Sequence, residues 1–219
     1  MELCLYNTVL TAMSYDGKAF TYDNQLASSD KDLSKRSDWF TVACCPPNML
    51  RLLGSIGGYV WNVDQSSKSA TVTVNLYISS TLEASVGGDK VRVSQQSEWP
   101  AKGDVAFAIE AKDAAFDMKL RIPQWAESHE IVPSCPNAGK EKGYLHLPAE
   151  WLSKNRNFTL KLPLTPRWIT PHPYTGQDTL TLARGPVVYC VEDVDNSWVD
   201  DHFKVSFTTD MICCTMADE

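Results

Sequence analysis

The sequence predicts an α+β protein in which a few helices come first and β-strands fill the rest of the chain. Two observations support this prediction. Up to about residue 60, apolar residues recur at steps of three and four, as on one face of a helix. From Tyr59 onward they alternate with polar residues, as in half-buried strands. The 219 residues, 43% of them hydrophobic, are enough for one full core or two small ones.

The first predicted element is a helix over residues 2–13. We interpret Cys4 as a core residue of this helix. Because the helix begins at residue 2 without an N-cap, we expect the chain to be a fragment of a longer protein. The apolar stripe of the helix consists of Leu3, Tyr6, Leu10 and Met13, widened by Leu5 and Val9.

A second helix is predicted after the segment Ala43-Cys44-Cys45-Pro46-Pro47-Asn48. Pro47 fits its first position, and Gly57-Gly58 is typical of its end. Between the two helices, the sequence indicates a turn at 16–17, a short extended piece at 20–22 and a polar surface loop at 28–38. The apolar residues of the second helix are Met49, Leu50, Leu52, Leu53 and Ile56.

The strand-like alternation recurs six times in the remainder of the chain. Turn residues separate these segments and no long helical pattern intervenes, so an antiparallel β-sandwich is favoured over a parallel sheet. Gly185-Pro186 is interpreted as a bend between strands, and 64–69 and 137–143 as polar turns. The six segments are 72–78, 91–93, 105–109, 118–122, 158–162 and 180–182.

Charge and composition exclude several classes of partner. A net charge of −7 without a run of Lys or Arg argues against nucleic-acid binding. No stretch approaches the roughly 18 to 20 apolar residues of a membrane span, and the N-terminus lacks the pattern of a signal peptide. Seven cysteines, four of them in two adjacent pairs, suit metal ligation or reactive thiols and favour a reducing compartment such as the cytoplasm.

Cys44 and Cys45 are the candidate reactive residues. A helix N-terminus stabilises a thiolate, which can bind zinc or attack carbon. The alternative, two buried thiols in a core, is equally compatible with the residues alone. Adjacent cysteines supply at most two of the four ligands of zinc. Glu2 and Cys4 point to different faces of their helix and are not expected to supply the others.

Other residues with chemical potential receive structural interpretations. The tryptophans are interpreted mostly as core residues, and the histidines, which show no ligand spacing, as surface or capping residues. Cys213 and Cys214 are interpreted as part of an unstructured end, with metal binding as the alternative. The residues concerned are Trp39, Trp61, Trp99, Trp125, Trp151, Trp168 and Trp198, and His129, His146, His172 and His202.

Several motifs together resemble glycoside hydrolase family 127, the β-L-arabinofuranosidase family. They are residues 1–10 (MELCLYNTVL), 16–17 (DG), 20–24 (FTYDN) and 43–48 (ACCPPN). Residues 184–192 (RGPVVYCVE) are similar to a second signature of that family. The order and spacing of these motifs match up to about Asp195.

The resemblance implies the last helices of an (α/α)6 barrel followed by an antiparallel, jelly-roll-like β-sandwich. It further implies a retaining hydrolase with a zinc ion held by one Glu and three Cys. By motif, Cys44 is the nucleophile and a zinc ligand, Cys45 is a pure ligand, and Tyr22 contacts the sugar. For Tyr22 the alternative is a tyrosine that packs on a short strand. The acid/base Glu and the other two zinc ligands lie upstream of these motifs in the family, so this chain has a partial zinc site and no matched acid/base.

We therefore expect residues 1–60 to be the end of the catalytic barrel, 61–195 the sandwich and 196–219 a divergent tail. The predicted function is that of a β-L-arabinofuranosidase, incomplete or inactive as an isolated chain, acting on glycans that contain L-arabinofuranosides. The alternative is a non-catalytic sandwich protein that binds glycan or another chain. A structural zinc module would need four ligands and is less favoured. Self-association through an exposed barrel face is also expected.

Overall fold

The computed structural model of the chain describes residues 1–22, 35–39, 41–65, 69–86, 88–112, 115–177 and 179–190. Most of the 28–38 loop, Trp198, His202, Cys213 and Cys214 lie outside these ranges. Among the described residues, none of the helices has both the length and the apolar character needed to cross a lipid bilayer. The helices are α1 Glu2–Cys4, α2 Cys45–Gly54, α3 Gly57–Val60 and α4 Ala149–Lys154.

The described strands form three sheets. The first sheet contains β1 Trp61–Asp64, β2 Ala70–Val74, β6 Phe116–Arg121, β8 Gly139–Glu141 and β9 Tyr144–Leu147. The second contains β3 Ser80–Val86, β4 Asp89–Ser97, β5 Asp104–Ala111, β7 Glu130–Val132 and β10 Asn157–Lys161. The third contains β11 Pro166–Ile169, β12 Thr181–Arg184 and β13 Val187–Val188. Their spatial orders are β1-β2-β6-β9-β8, β3-β4-β5-β10-β7 and β11-β12-β13.

The first two sheets share one hydrophobic core, which makes them a sandwich. Strand β5 shows how the alternation works, since Val105, Phe107 and Ile109 are buried while Asp104, Ala106 and Glu110 are exposed. Side chains of the first sheet join the same core. The predicted α+β class, with sheets dominating, is confirmed, whereas the (α/α)6 barrel and the jelly-roll-like topology stay predictions.

Strand direction departs from the sequence prediction at one pair. The other described pairings are antiparallel, but β2 and β6 run parallel from Ala70 beside Phe116 to Val74 beside Leu120. Between them the chain leaves the first sheet, builds β3, β4 and β5 in the second, and returns beside β2. Such a crossover brings the strand back in the same direction. The segment 137–143, predicted as a polar turn, contains the edge strand β8.

The N-terminal helix exists, but its buried face differs from the predicted one. After α1, residues Leu5–Val9 form a π-helical turn and Leu10–Ala12 a 3-10 turn. The i→i+5 bonding of the π turn rotates the following side chains relative to an α-helix. Glu2, Leu5 and Ala12 are buried, whereas Leu3, Cys4 and Leu10 are exposed. The interpretation of Cys4 as a core residue is wrong.

The second helix begins and ends earlier than predicted. Cys45 is its first residue, so Pro47 lies at the third position, and the helix ends at Gly54. Gly57 and Gly58 begin α3 rather than ending α2. The side chains of α2 are half-buried or exposed, and none is buried.

Candidate active site

The two candidate thiols lie at the start of α2. Cys44 is the N-cap residue and is exposed, and Cys45 is the first residue of the helix and is half-buried. The next two positions are Pro46 and Pro47, which carry no amide hydrogen. Two of the first three helical residues thus offer no N–H group to a sulfur. The helix dipole and the remaining amides are what the local backbone contributes to thiolate stabilisation.

The geometry of the sulfur pair fits two corners of a zinc site. The distance from Cys44 Sγ to Cys45 Sγ is 3.5 Å, well beyond the S–S bond length of about 2.05 Å. Two thiolates bound at about 2.3 Å to a tetrahedral zinc ion lie about 3.8 Å apart. The pair can therefore close on one ion with little movement. Within the described ranges, no group of three or more His, Cys, Asp or Glu side chains could hold a metal ion, so the pair by itself could supply at most two of four ligands.

Asn48 and Arg51 hold the backbone at Cys44. The side-chain Nδ2 of Asn48 donates to the Cys44 carbonyl at 2.9 Å, and the backbone N–H of Asn48 donates to the same oxygen at 3.3 Å. Arg51 Nη2 in turn donates to Asn48 Oδ1 at 2.7 Å. Sequence reasoning included Asn48 in a motif but missed these contacts. The i, i+3 spacing of Asn48 and Arg51 on a helix was the available signal.

Tyr22, the predicted sugar contact, lies on a segment anchored to the N-terminal helix. Thr21 N donates to the Ala12 carbonyl at 2.7 Å, and Phe20 is bridged to both Met13 and Ser37. Tyr22 itself is exposed. The structure thus brings Cys44 and Cys45 together and places Tyr22 on a separate segment. Its role stays a prediction.

Glu2 is engaged in a structural ion pair. Its Oε1 accepts from Arg121 Nη2 at 2.7 Å, and its Oε2 accepts from Trp125 Nε1 at 3.2 Å. The Glu2 side chain is 7% exposed and that of Arg121 is 22% exposed. The pKa of the neighbouring Tyr6 hydroxyl is raised, mainly by burial and further by the Glu2 carboxylate. Glu2 therefore joins α1 to strand β6. This contact is compatible with the prediction that Glu2 is not a zinc ligand.

Asn7 joins the same helix to the segment near the other end of the chain. Its Oδ1 accepts from the Val188 N–H at 2.7 Å, and its Nδ2 donates to the Pro186 carbonyl at 2.7 Å. Two of the motifs quoted above thus contact each other directly. Gly185 adopts φ +54° in the turn between β12 and β13, which confirms the predicted bend. An Asn inside a helix, where its propensity is low, was the available signal.

Most interpretations of the other aromatic and histidine residues are confirmed where they fall on described residues. Trp61 is buried, and three further tryptophans pack on the core, whereas Trp39 is 78% exposed. His172 caps the 3-10 turn Pro173–Thr175, because its Nδ1 accepts from the Tyr174 N–H. The three tryptophans that pack on the core are Trp99, Trp125 and Trp151.

Three family models match consecutive segments of the chain. The Beta-L-arabinofuranosidase GH127 catalytic domain matches residues 1–58, the GH127 middle domain residues 71–164, and the glycoside hydrolase family 127 C-terminal domain residues 166–216. The chain belongs to glycoside hydrolase family 127. The C-terminal match extends beyond Asp195, where the resemblance by motif ends.

Known members of family 127 resemble the chain over most of its length. The non-reducing end beta-L-arabinofuranosidase of Bifidobacterium longum subsp. longum is 30% identical over 214 residues, which cover 90% of this chain and 32% of that protein. The crystal structure of a GH127 beta-L-arabinofuranosidase from Geobacillus stearothermophilus T6 has a TM-score of 0.77 and 30% identity, covering 90% of this chain and 33% of that one. A GH127 beta-arabinofuranosidase has a TM-score of 0.76 and 30% identity over 89% and 33%. The chain therefore spans about a third of the length of these relatives.

The contacts of Glu2 and Asn7 connect segments that different family 127 models match. Glu2 joins the segment matched by the catalytic-domain model to Arg121 and Trp125 in the middle domain. Asn7 joins it to the C-terminal domain at Val188. Arg167 lies over the Trp125 ring at 5.9 Å and thereby links the middle and C-terminal domains. The three family segments are fastened to one another by a small set of polar side chains.

Proposed function

We propose that the chain is the part of a family 127 β-L-arabinofuranosidase that supplies the nucleophile. The observation that supports this most directly is the Cys44–Cys45 pair, with its sulfurs 3.5 Å apart, inside the segment matched by the catalytic-domain model. The names of the relatives point to substrates with a non-reducing-end β-L-arabinofuranosyl group. The proposed partner is accordingly a glycan that carries L-arabinofuranosides.

In the proposed reaction Cys44 Sγ attacks the anomeric carbon of the sugar. A C–S bond forms while the C–O bond to the leaving group breaks, and the leaving oxygen takes a proton. Water then gives a proton to the acid/base and attacks the same carbon, the C–S bond breaks with its electron pair returning to sulfur, and two inversions give net retention. Tyr22 contacts the sugar in this proposal. The acid/base is assigned, as the family resemblance implies, to a carboxylate upstream of these motifs.

Zinc is the proposed cofactor, and Cys44 and Cys45 would be two of its four ligands. When bound, it keeps the sulfur of Cys44 deprotonated and oriented. Cys45 serves in this scheme as a ligand that restrains the position of its neighbour. The other two ligands are assigned, as the family resemblance implies, to residues upstream of these motifs, and no group of three or more possible ligands occurs among the described residues.

An aryl β-L-arabinofuranoside with an activated leaving group tests the proposal on the chain itself. Such a leaving group needs little help from an acid, so Cys44 should become glycosylated even where turnover is slow. Intact-protein mass spectrometry in the presence of zinc and a thiol-compatible reductant should show one added pentosyl group. The adduct should be lost in Cys44→Ala.

Cys4→Ala is the matched control, because Cys4 is an exposed thiol on another helix. This variant should be labelled like the wild type. An adduct that survives in Cys44→Ala would contradict the assignment of the nucleophile. Absence of an adduct in the wild type would contradict the expectation that Cys44 reacts in this chain without the rest of the protein.

A further inference from the structure

The side chain of Asn48 is placed to control the geometry of the sulfur pair. We infer that Asn48, whose side chain is held in orientation by Arg51, is a positioning residue. It keeps the sulfur atoms of Cys44 and Cys45 directed to one point. The inference rests on the proposed function, since it concerns the same two thiols. It goes further by assigning a task to two residues that have no role in the reaction proposed above.

Two adjacent residues do not ordinarily direct their side chains to one point. On a helix successive side chains are turned by about 100° from each other, so two neighbouring sulfurs converge only at suitable backbone torsions. Cys44 adopts φ −78° and ψ −34°, and at these torsions the sulfurs lie 3.5 Å apart. A change in ψ at Cys44 turns its carbonyl and swings Cys45 relative to Cys44. Whatever holds the Cys44 carbonyl therefore holds the pair.

Asn48 holds that carbonyl with two donors. The backbone N–H of Asn48 reaches it at 3.3 Å, which is long for an N–H···O bond, and Nδ2 reaches it at 2.9 Å. Pro46 and Pro47 offer no N–H in this turn. The hydrogen bond from the side-chain amide is thus the shorter of the two that hold the Cys44 carbonyl in the first turn of α2.

Arg51 decides which end of the amide faces Cys44. Its guanidinium Nη2 donates to Asn48 Oδ1 at 2.7 Å, a charge-assisted bond that requires an acceptor at that end. Nδ2 must then point to the carbonyl. Asp at position 48 would keep the size of the side chain and its contact with Arg51, but it would lose the donor and place an anionic oxygen against the carbonyl.

Cadmium binding tests this inference on the chain as it exists, without any requirement for catalysis. Cadmium–thiolate charge-transfer absorption reports directly on sulfur ligation, and titration gives the affinity. Asn48→Asp should weaken Cys44-dependent cadmium binding roughly 10- to 100-fold, the usual effect of losing a group that orients a ligand. Cys45→Ala provides the reference for a broken pair. Arg51→Lys, which retains a cationic donor, should bind more tightly than Arg51→Ala.

Asn62→Asp is the matched control, because Asn62 is exposed and lies on strand β1, outside the helix that carries the thiols. It should bind cadmium as the wild type does, and both Asp variants should show the tryptophan fluorescence of the folded sandwich. Binding by Asn48→Asp within twofold of the wild type, while Cys45→Ala binds weakly, would overturn the inference and leave the proposed function intact. A wild type without any Cys44-dependent absorption would overturn the proposed function, and the inference with it.

Discussion

Glu2 is an acidic residue whose charge is almost completely withdrawn from solvent. Burying a carboxylate is costly unless it is paired and hydrogen-bonded, and here both oxygens have partners, Arg121 and the indole of Trp125. Arg121 is itself held by the Asn75 carbonyl through Nε and by its own carbonyl, which accepts from the Tyr77 hydroxyl. The ion pair is therefore one part of a polar network between α1 and the first sheet.

Replacing Glu2 should destabilise the chain markedly. In Glu2→Gln the guanidinium of Arg121 keeps its buried position but loses its counter-charge, which should cost about 2 to 3 kcal/mol of unfolding free energy. Urea denaturation followed by tryptophan fluorescence measures this. Glu98→Gln, which removes the exposed Glu98–Lys102 pair, should change the unfolding free energy by less than about 0.5 kcal/mol. Equal effects of the two changes would argue against a structural role for Glu2.

At the scale of single elements, α2 differs from the strands in how it is held. It carries the thiol pair, yet none of its side chains is buried, whereas β4 and β5 lie inside the second sheet and contribute Val91, Val93, Val105 and Phe107 to the core. Local opening requires little free energy where few apolar contacts are broken. The element with the proposed chemistry is thus less well packed than the central strands of the second sheet.

Hydrogen exchange should reveal this difference. The amides of Asn48–Gly54 should exchange at least ten times faster than those of β5 at the same pH, because opening of α2 need not unfold the sandwich. Mass spectrometry of peptic fragments resolves the two segments. Protection of α2 equal to that of β5 would show that the helix is stabilised by contacts stronger than those described above.

The strands were predictable from the sequence and the helices less so, for physical reasons. A side chain in a strand faces either the core or the solvent, so the pattern at 105–109 or 118–122 marks a strand from local information alone. The π turn at Leu5–Val9 has no such signature in the local sequence. The parallel pairing of β2 with β6 likewise depends on where the chain returns after the second sheet.

The candidate site was predictable in its reactive atoms but not in its supporting ones. Two adjacent cysteines before a helix restrict the chemistry to a few possibilities, so Cys44 and Cys45 could be singled out from residue type and spacing. The hold of Asn48 on the Cys44 carbonyl depends on helix α2 starting at Cys45, two residues before the predicted start at Pro47. A shift of two residues in a helix boundary is enough to hide such a contact.

On the scale of the whole molecule, the helical part exposes large apolar side chains. Trp39 is 78% exposed, Leu50 63% and Val42 61%, and Leu3 and Leu10 also face solvent. Large exposed apolar side chains on a protein favour association. The net charge of −7 opposes close approach of two copies, so salt should strengthen any such association by screening.

Self-association should therefore depend on concentration and increase with salt. Sedimentation velocity should show species larger than the 24.4 kDa monomer, and Leu50→Gln should reduce their amount. Leu180→Gln serves as the comparison, since Leu180 is 50% exposed but precedes β12 in the third sheet. A single monomeric species at all concentrations would count against association through the helical part.

The attachments of Glu2 and Asn7 also set an order of events in folding. Their partners Arg121 and Val188 lie 119 and 181 residues further along the chain. A growing polypeptide presents its N-terminal residues first, and contacts across such separations carry the largest loop-closure cost. We therefore expect the segment 1–12 to reach its native position late, after the sheets that it docks against have been completed.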